Sequence, residues 1–259
     1  MVDHNDLVRE QFRLQAETFT DSGFAARGLG WIVDELAPSN SDQVLDVAAG
    51  AAHLGRALAP RVSHVSALDL TPEMLEQGRQ LAKAGGLRNI AFLLGDAAAL
   101  PWIDGQFDLV ACRLTLHQVA DPAAVVREML RVARPGGRVA VIDLTAPDDA
   151  SVAAEMNRIE KLRDPSHGRT LSERDTHLLL TATGAAVVHC SRHDQPVDVE
   201  DWMERTATPA ATRAVIRARF AQELVGAPPT GLRPSRDAAG VLHLTHTWTM
   251  SVAQVGSTA

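Results

Sequence analysis

Short apolar runs alternate with longer amphipathic stretches over residues 40–146 of the chain. The apolar runs read VLDVAAG, VSALDL, IAFLLGD, FDLVACRLTLH and RVAVIDL. Continuous apolar runs of this length are typical of strands buried on both faces of a parallel sheet. The stretches between them, such as PAAVVREMLRVA, place apolar residues at helical spacing. The pattern therefore predicts an α/β fold in which five parallel strands alternate with helices.

Local signals indicate where two of these helices begin. Thr71 and Asp121 are favoured N-cap residue types, and a proline follows each of them at the first helical position. The sequence RPGG at residues 134–137 is rich in turn-forming residues. It predicts a turn that leads into the fifth strand.

The stretch VLDVAAGAAH at residues 44–53 contains the first strand and the loop that follows it, and the loop consists mainly of small residues. Small residues allow the backbone to approach a ligand closely. Asp69 lies nineteen positions after Gly50, in the second apolar run. A carboxylate at that place in a β-α-β unit can accept hydrogen bonds from both hydroxyls of a ribose. The segment therefore predicts a nucleoside-binding site.

The same loop differs from one that binds a dinucleotide. A pyrophosphate site needs exposed N–H groups, normally in a GxGxxG loop, and no acid facing the phosphates. Here Asp46 precedes the loop, residues 44–54 contain no Lys or Arg, and Gly50 is their only glycine. An acid there disfavours phosphate and favours the ammonium of an amino-acid tail. S-adenosylmethionine (SAM) is therefore a better fit than NAD.

Four ordered motifs of the chain resemble those of class I SAM-dependent methyltransferases, in the group of the ubiquinone and menaquinone biosynthesis enzymes. The motifs are VLDVAAG, ALDLTPEML, GDAAALPWIDGQFDLV and REMLRVARPGGRVAVIDL. They cover residues 40–146, and the C-terminal third is similar more loosely. The resemblance implies an α/β, Rossmann-like fold: a seven-stranded, mostly parallel sheet with helices on both faces and a helical cap.

The resemblance also implies which residues contact SAM. Asp69 would hold the ribose, Asp96 would accept from the adenine amino group, and Leu70 would pack on the adenine. The full set of cofactor-binding residues that it implies is Asp46, Ala48, Gly50, Asp69, Leu70, Asp96, Ala97 and Arg113. The chain departs from the family at Ala52, where a glycine is usual, and we expect this methyl group to narrow the approach to the cofactor.

Composition and charge restrict the choice of partner. The 259 residues are 46% hydrophobic and 22% charged, which suits one SAM-binding domain spanning 1–259 with a sizeable core. A net charge of −7 without a basic cluster argues against nucleic acid and favours a small-molecule acceptor. We find no membrane-spanning run and no secretion signal, and we expect a cytoplasmic protein. Cys112 and Cys190 fit buried small hydrophobes better than a disulfide or metal site. The oligomeric state stays open.

Three segments outside the strand pattern are expected to cover the site. Residues 1–38 form a predicted N-terminal helical lid, with Val8, Phe12, Ala16 and Phe19 on its apolar face. Two cap insertions are predicted at 148–184 and 196–240, the second ending in a long loop from residue 228. Ligands bind beyond the carboxyl ends of parallel strands, which such segments can cover. The alternative is that these helices only pack on the core. The last strand is expected to run antiparallel beside the sixth.

Methyl transfer needs alignment and, where the nucleophile carries a proton, a base. His117 lies four residues beyond Arg113, at the end of the fourth strand, and is the best-placed candidate for the catalytic base. The alternative is that it only orients a substrate or caps a backbone group. We expect the acceptor to meet a set of substrate-binding residues: Phe19, His117, His167, Arg169 and His246. Arg163 also flanks the DPSH turn that contains His167. The histidines show no metal-binding spacing, so no metal is predicted.

The favoured function is thus methyl transfer from SAM to a small-molecule carbon, oxygen or nitrogen nucleophile. One alternative is a vestigial member of the fold that binds SAM without methylating. Another is an NAD-linked oxidoreductase, which Asp46 disfavours.

Overall fold

The computed structural model describes residues 3–16, 19–20, 24–26 and 28–256. Its strands are β1 (Gln43–Val47), β2 (His64–Asp69), β3 (Ile90–Leu94), β4 (Phe107–Arg113), β5 (Ala133–Leu144), β6 (Ala186–Asp198), β7 (Ser235–Arg236) and β8 (Leu242–Gln254). Its α-helices are α1 (His4–Gln15), α2 (Leu29–Leu36), α3 (His53–Leu58), α4 (Pro72–Ala84), α5 (Pro122–Val132), α6 (Ala150–Arg163), α7 (Glu173–Thr181), α8 (Val199–Glu204) and α9 (Ala210–Leu224).

One sheet connects these strands in the order β3-β2-β1-β4-β5-β8-β6. Strands β1 to β5 pair in parallel, and β8 pairs antiparallel with both β5 and β6. The predicted mostly parallel sheet and its antiparallel last strand are therefore confirmed. The short strand β7 pairs with β8 and adds an eighth strand to the described part of the sheet.

Alternating residues of the parallel strands fill two hydrophobic cores, one on each face of the sheet. In β4, Leu109 and Ala111 belong to one core, whereas Val110 and Cys112 belong to the other. Helices α2 and α3 cover the first core, and α5 and α7 cover the second. Burial on both faces explains why the strands read as continuous apolar runs. It also explains why their carboxyl ends are the place where loops can form a site.

A third core lies within the cap segments. Helices α6, α8 and α9 contribute buried side chains that include Ile159, Trp202 and Phe220, and β8 contributes Leu244. The apolar residues Ile216 and Phe220 of α9 pack in this core, as expected if the cap helices only cover the core. Leu224, at the end of that helix, is more exposed.

Three local expectations differ from the structure. The RPGG turn lies within β5, where Asp108 of β4 faces residues 134–137 and the extra residues bulge from the strand. The long loop predicted from residue 228 contains β7. Cys190 is exposed, unlike the buried Cys112, because it lies on the edge strand β6. Within the described residues, no helix is both long and apolar enough to span a bilayer.

Candidate active site

A deep cavity opens at the carboxyl ends of the central parallel strands. The loops that follow β1, β2, β3 and β4 form its floor, and α1, α6 and α8 contribute to its walls. Helix α1 is held there through its first turn, where the His4 ring lies 2.6 Å from the Gln118 carbonyl oxygen and Asn5 donates to Asp96 over 3.0 Å. This position agrees with the cleft that the strand order predicts.

The loop after β1 places three residues in the left-handed conformation. Ala48 has φ 51°, Gly50 has φ 56° and Ala52 has φ 53°. Ala48 and Gly50 line the cavity, and a Cβ atom on Gly50 would lie 3.0 Å from the Met74 side chain. Ala52 is buried and does not line the cavity. The expected narrowing at Ala52 is therefore wrong, because its methyl group points into packing rather than toward the ligand space.

Asp69 binds the loop and also faces the cavity. Its carboxylate accepts hydrogen bonds from the Gly50 N–H over 2.6 Å and from the Thr71 N–H over 2.8 Å. Burial raises the pKa of this carboxyl, and the two N–H donors oppose the rise. A carboxylate offers about four lone-pair positions, more than these two N–H groups occupy.

Asp46 is buried beside Asp69 at the end of β1. One carboxylate oxygen accepts from the Gly55 N–H over 2.8 Å. Burial raises the pKa of Asp46 to about 7, against the lowering effects of that N–H and of Arg113, while the charge of Asp69 adds to the rise. Burial likewise lowers the pKa of Arg113 to about 10, and its guanidinium lies 5.1 Å from the centre of the Trp248 ring.

The loop after β3 supplies the residues expected around adenine. Asp96 accepts from Asn5 through one oxygen and from the Ala98 N–H, over 2.8 Å, through the other. Ala97 is buried at the cavity wall, and Leu70 lines the cavity from the loop after β2. All eight residues expected to contact the cofactor thus line this one cavity.

His117 and Asp143 form a buried pair at the ends of β4 and β5. The two atoms His117 Nδ1 and Asp143 Oδ1 lie 2.5 Å apart. Asp143 also accepts from the N–H groups of Thr115 over 3.1 Å and Leu116 over 2.7 Å, so its position is fixed. Burial lowers the pKa of His117, but the charge and hydrogen bond of Asp143 outweigh burial and leave that pKa above its ordinary value. No residue that the structure describes forms a hydrogen bond with Nε2 of His117, which lines the cavity.

A second buried group lies at the cap side of the cavity. His246 Nε2 lies 2.9 Å from a Glu160 carboxylate oxygen, and Arg163 Nε lies 3.3 Å from the other. The Arg163 guanidinium stacks over Trp202 at 4.9 Å. Burial lowers the pKa of His246, although Glu160 opposes this effect. His246 therefore reaches the cavity hydrogen-bonded to Glu160, and Arg163 reaches it as the ion-pair partner of the same carboxylate.

Three other residues were expected to bind the methyl acceptor, and only one of them lies in the cavity lining. Phe19 lines the cavity beside α1. His167 is buried behind His117, with ring centres 5.8 Å apart, and its Nε2 lies 2.9 Å from the Asn157 side-chain oxygen. Arg169 is exposed and pairs with Asp175 over 3.3 Å. The structure therefore places neither His167 nor Arg169 in the cavity lining.

Two residues of the site were absent from the sequence-based prediction: Glu160, which lines the cavity, and Asp143, which holds His117. Asp143 lies near the end of an apolar strand, and Glu160 lies on a cap helix. Each can be assigned a role in the site only once its contact with a histidine is known. The acid near the end of RVAVIDL was a usable signal, because carboxyl ends of neighbouring parallel strands adjoin. Nothing in the local sequence of α6 indicates that Glu160 meets His246, which lies 86 positions away.

The chain belongs to the methyltransferase domain family, whose model matches residues 38–204. The predicted family and methyltransferase fold are thus confirmed.

YcgJ of Bacillus subtilis (strain 168), named as an uncharacterized methyltransferase, is 33% identical over 201 residues, which cover 77% of this chain and 79% of YcgJ. The crystal structure of YcgJ gives a TM-score of 0.78 at 26% identity and covers 89% of this chain and 98% of that chain. A demethylmenaquinone methyltransferase from Listeria welshimeri is 39% identical over 108 residues, which are 40% of this chain and 46% of the relative.

Proposed function

We propose that the protein transfers a methyl group from SAM to a small-molecule acceptor that carries a removable proton. The observation that carries the proposal is the pair of buried acids, Asp46 and Asp69, at the tips of adjacent strands in one cavity. This pair occurs in a chain of the methyltransferase domain family.

The donor set of this end of the cavity fits SAM. Asp69 lines the cavity and, as a carboxylate, can accept from ribose hydroxyls in addition to the N–H groups of Gly50 and Thr71. Asp46 provides an anion that a cationic amino-acid tail would stabilise in its ionised form. Asp96 can accept from an adenine amino group. The two buried acids disfavour a pyrophosphate, and this supports SAM over NAD.

SAM, when bound, supplies an electrophilic methyl group on a sulfonium whose leaving thioether is neutral. The protein then has to position the nucleophile, exclude water and remove a proton. His117 is suited to the last task because its Nδ1 is held by Asp143 while its Nε2 faces the cavity. The acceptor proton would move to Nε2, and the Asp143 carboxylate would stabilise the imidazolium that forms. This arrangement favours a hydroxyl or another acidic nucleophile over a tertiary amine.

The cap side of the cavity supports an acceptor with an apolar ring. Phe24 and Trp202 line it together with Phe12 of α1. Aromatic walls of this kind bind flat ligands through large buried areas. The position of α1 over the cavity supports its proposed role as a lid that excludes water.

The first experiment measures binding of SAM and of its demethylated product, S-adenosylhomocysteine (SAH), by titration calorimetry. Asp69→Ala should weaken binding by about 1.5–3 kcal/mol, the scale of a charge-assisted hydrogen bond. Asp34→Ala is the matched control, because this acid is exposed on α2 and pairs with Arg61. A wild-type protein without affinity for either ligand would contradict the proposal.

The second experiment screens phenols, quinols and amines as acceptors with a radiolabelled methyl donor. With any acceptor that turns over, His117→Ala and Asp143→Asn should each lower kcat by about 10²–10⁴, the usual contribution of a positioned base. Their affinity for SAH should stay close to that of the wild type. His189→Ala, a surface histidine paired with Glu35, is the control. Unchanged kcat in His117→Ala would exclude it as the base, and SAH binding without any methylation would favour the vestigial alternative.

A further inference from the structure

A cluster of three side chains of metal-ligand type lies outside the cavity lining. Glu173 and His177 are on α7, and Cys190 is on β6. The carboxylate, ring nitrogen and sulfur donors all lie within 4.8 Å of one another. None of the three residues lines the cavity at the strand tips. The geometry points to a Zn²⁺-binding site formed by Glu173, His177 and Cys190, and we propose it as a function separate from methyl transfer.

The backbone brings these donors together on rigid elements. Residues four apart on a helix project from the same face, so Glu173 and His177 point in one direction. That face packs on the sheet, where Cys190 pairs directly with Ser251 of β8. His177 Nε2 lies 3.1 Å from Ser251 Oγ, and Cys190 Sγ lies 3.9 Å from the same oxygen. Side chains of a helix and two strands therefore converge on one point.

The donor set selects the metal. Zn²⁺ binds sulfur, imidazole nitrogen and carboxylate oxygen at about 2.0–2.3 Å. Two donors of one tetrahedral ion therefore lie about 3.3–3.8 Å apart, so side-chain rotations of about 1 Å bring the present donors, all within 4.8 Å, to that spacing. Mg²⁺ and Ca²⁺ prefer oxygen ligands, and the thiolate disfavours them. Three protein ligands leave a fourth tetrahedral position for water or for the Ser251 hydroxyl.

An ion can reach the three side chains, and their present hydrogen bonds do not prevent metal binding. Cys190 is exposed and the other two donors are half-buried, so an ion can enter from solvent. Binding would release the thiol proton to solvent, because the ligand is the thiolate. One Glu173 oxygen now accepts from Arg192 over 2.7 Å. That pair is largely exposed on its Arg192 side and contributes little stability, so the carboxylate can rearrange toward a metal.

The test titrates chelator-treated, reduced full-length protein with Zn²⁺ by calorimetry. Wild type should bind one ion per chain. Cys190→Ser and His177→Ala should each bind at least about tenfold more weakly, because loss of even an outer-shell partner costs about that much. His189→Ala, the neighbouring surface histidine on β6, should bind like wild type. Failure of wild type to bind one ion, or equal binding by wild type and both ligand variants, would overturn the site.

Co²⁺ substitution gives a second readout that does not depend on stability or activity. A thiolate-to-cobalt charge-transfer band in wild type that is absent in Cys190→Ser would support the site. Cys112 cannot supply this signal in the folded protein, because it is fully buried in the sheet core. A spectrum without a thiolate band would contradict the site, whether or not SAM binds and methyl transfer occurs.

Discussion

Affinity of the protein for SAH should fall as the pH falls below 7, because of Asp46. Burial raises the pKa of this carboxyl to about 7, from an ordinary value of 3.8. About half of the unliganded molecules therefore carry a neutral Asp46 near neutrality. A ligand ammonium beside Asp46 favours the ionised form and must displace the proton. Binding and proton release are thus linked.

The size of the effect follows from the pKa. If the bound ammonium returns the carboxyl to an ordinary pKa, each pH unit well below 7 costs about 1.4 kcal/mol, or about tenfold in affinity. Between pH 7 and pH 5 the dissociation constant of wild type should then rise about 50-fold. Above pH 7 the dependence should flatten, since Asp46 is already ionised.

Titration calorimetry between pH 5 and pH 7 measures how the affinity for SAH changes with pH. The α-amino group of SAH stays protonated over that range. Repeating it in buffers of different ionisation enthalpy counts the protons released. Asp46→Asn keeps an oxygen that can accept from Gly55 but cannot titrate. This variant should bind weakly and with little pH dependence.

Neighbouring groups that titrate require their own control. His117 has a raised pKa and lines the same cavity. His117→Gln should retain the slope if Asp46 causes it. A wild-type affinity that is constant from pH 5 to pH 7, or an Asp46→Asn slope equal to that of wild type, would refute the reasoning. A slope lost in His117→Gln would assign the proton to the histidine instead.

Three further changes have predictable effects. Ala52→Gly should raise the free energy of unfolding by about 0.5–1 kcal/mol, because relief of the left-handed strain exceeds the entropy cost of glycine; denaturant unfolding that shows a loss would contradict this. Glu160→Ala should lower the free energy of unfolding by about 3 kcal/mol, since Arg163 loses its buried partner. A loss below about 1 kcal/mol would mean that the Glu160–Arg163 pair contributes little to stability. Asn5→Ala should weaken docking of α1 by about 1 kcal/mol through the lost bond to Asp96; hydrogen exchange should then increase in α1 and stay unchanged in α2.

The cofactor end of the cavity was predictable because it depends on local order along the chain. Asp46, Asp69 and Asp96 each follow or end an apolar run, and carboxyl ends of parallel strands meet at one edge of the sheet. Strand periodicity is therefore enough to bring them together. The same reasoning places His117 at the end of β4, and the structure places it in the cavity.

The cap end was not predictable because its contacts join distant parts of the chain. His167 lies in the DPSH turn and Arg169 lies two residues after it, yet the first is buried behind His117 and the second is exposed. Which side of a turn faces a cavity depends on how α6 and α7 pack, and no local pattern contains that. Cys190 was expected to be buried because it lies in an apolar run, but the antiparallel insertion of β8 makes its strand an edge.

The order of the strands also explains how one cation serves both ends of the cavity. Strand β4 lies between β1 and β5, so Arg113 at its end lies between Asp46 and Asp143. A guanidinium stays protonated at neutral pH even when burial lowers its pKa to about 10. Its charge favours the ionised form of Asp46, the acid beside the proposed cofactor. Arg113 thus adjoins Asp46 on one side and Asp143, the partner of the proposed base, on the other, so a substitution of Arg113 is expected to disturb both ends of the site.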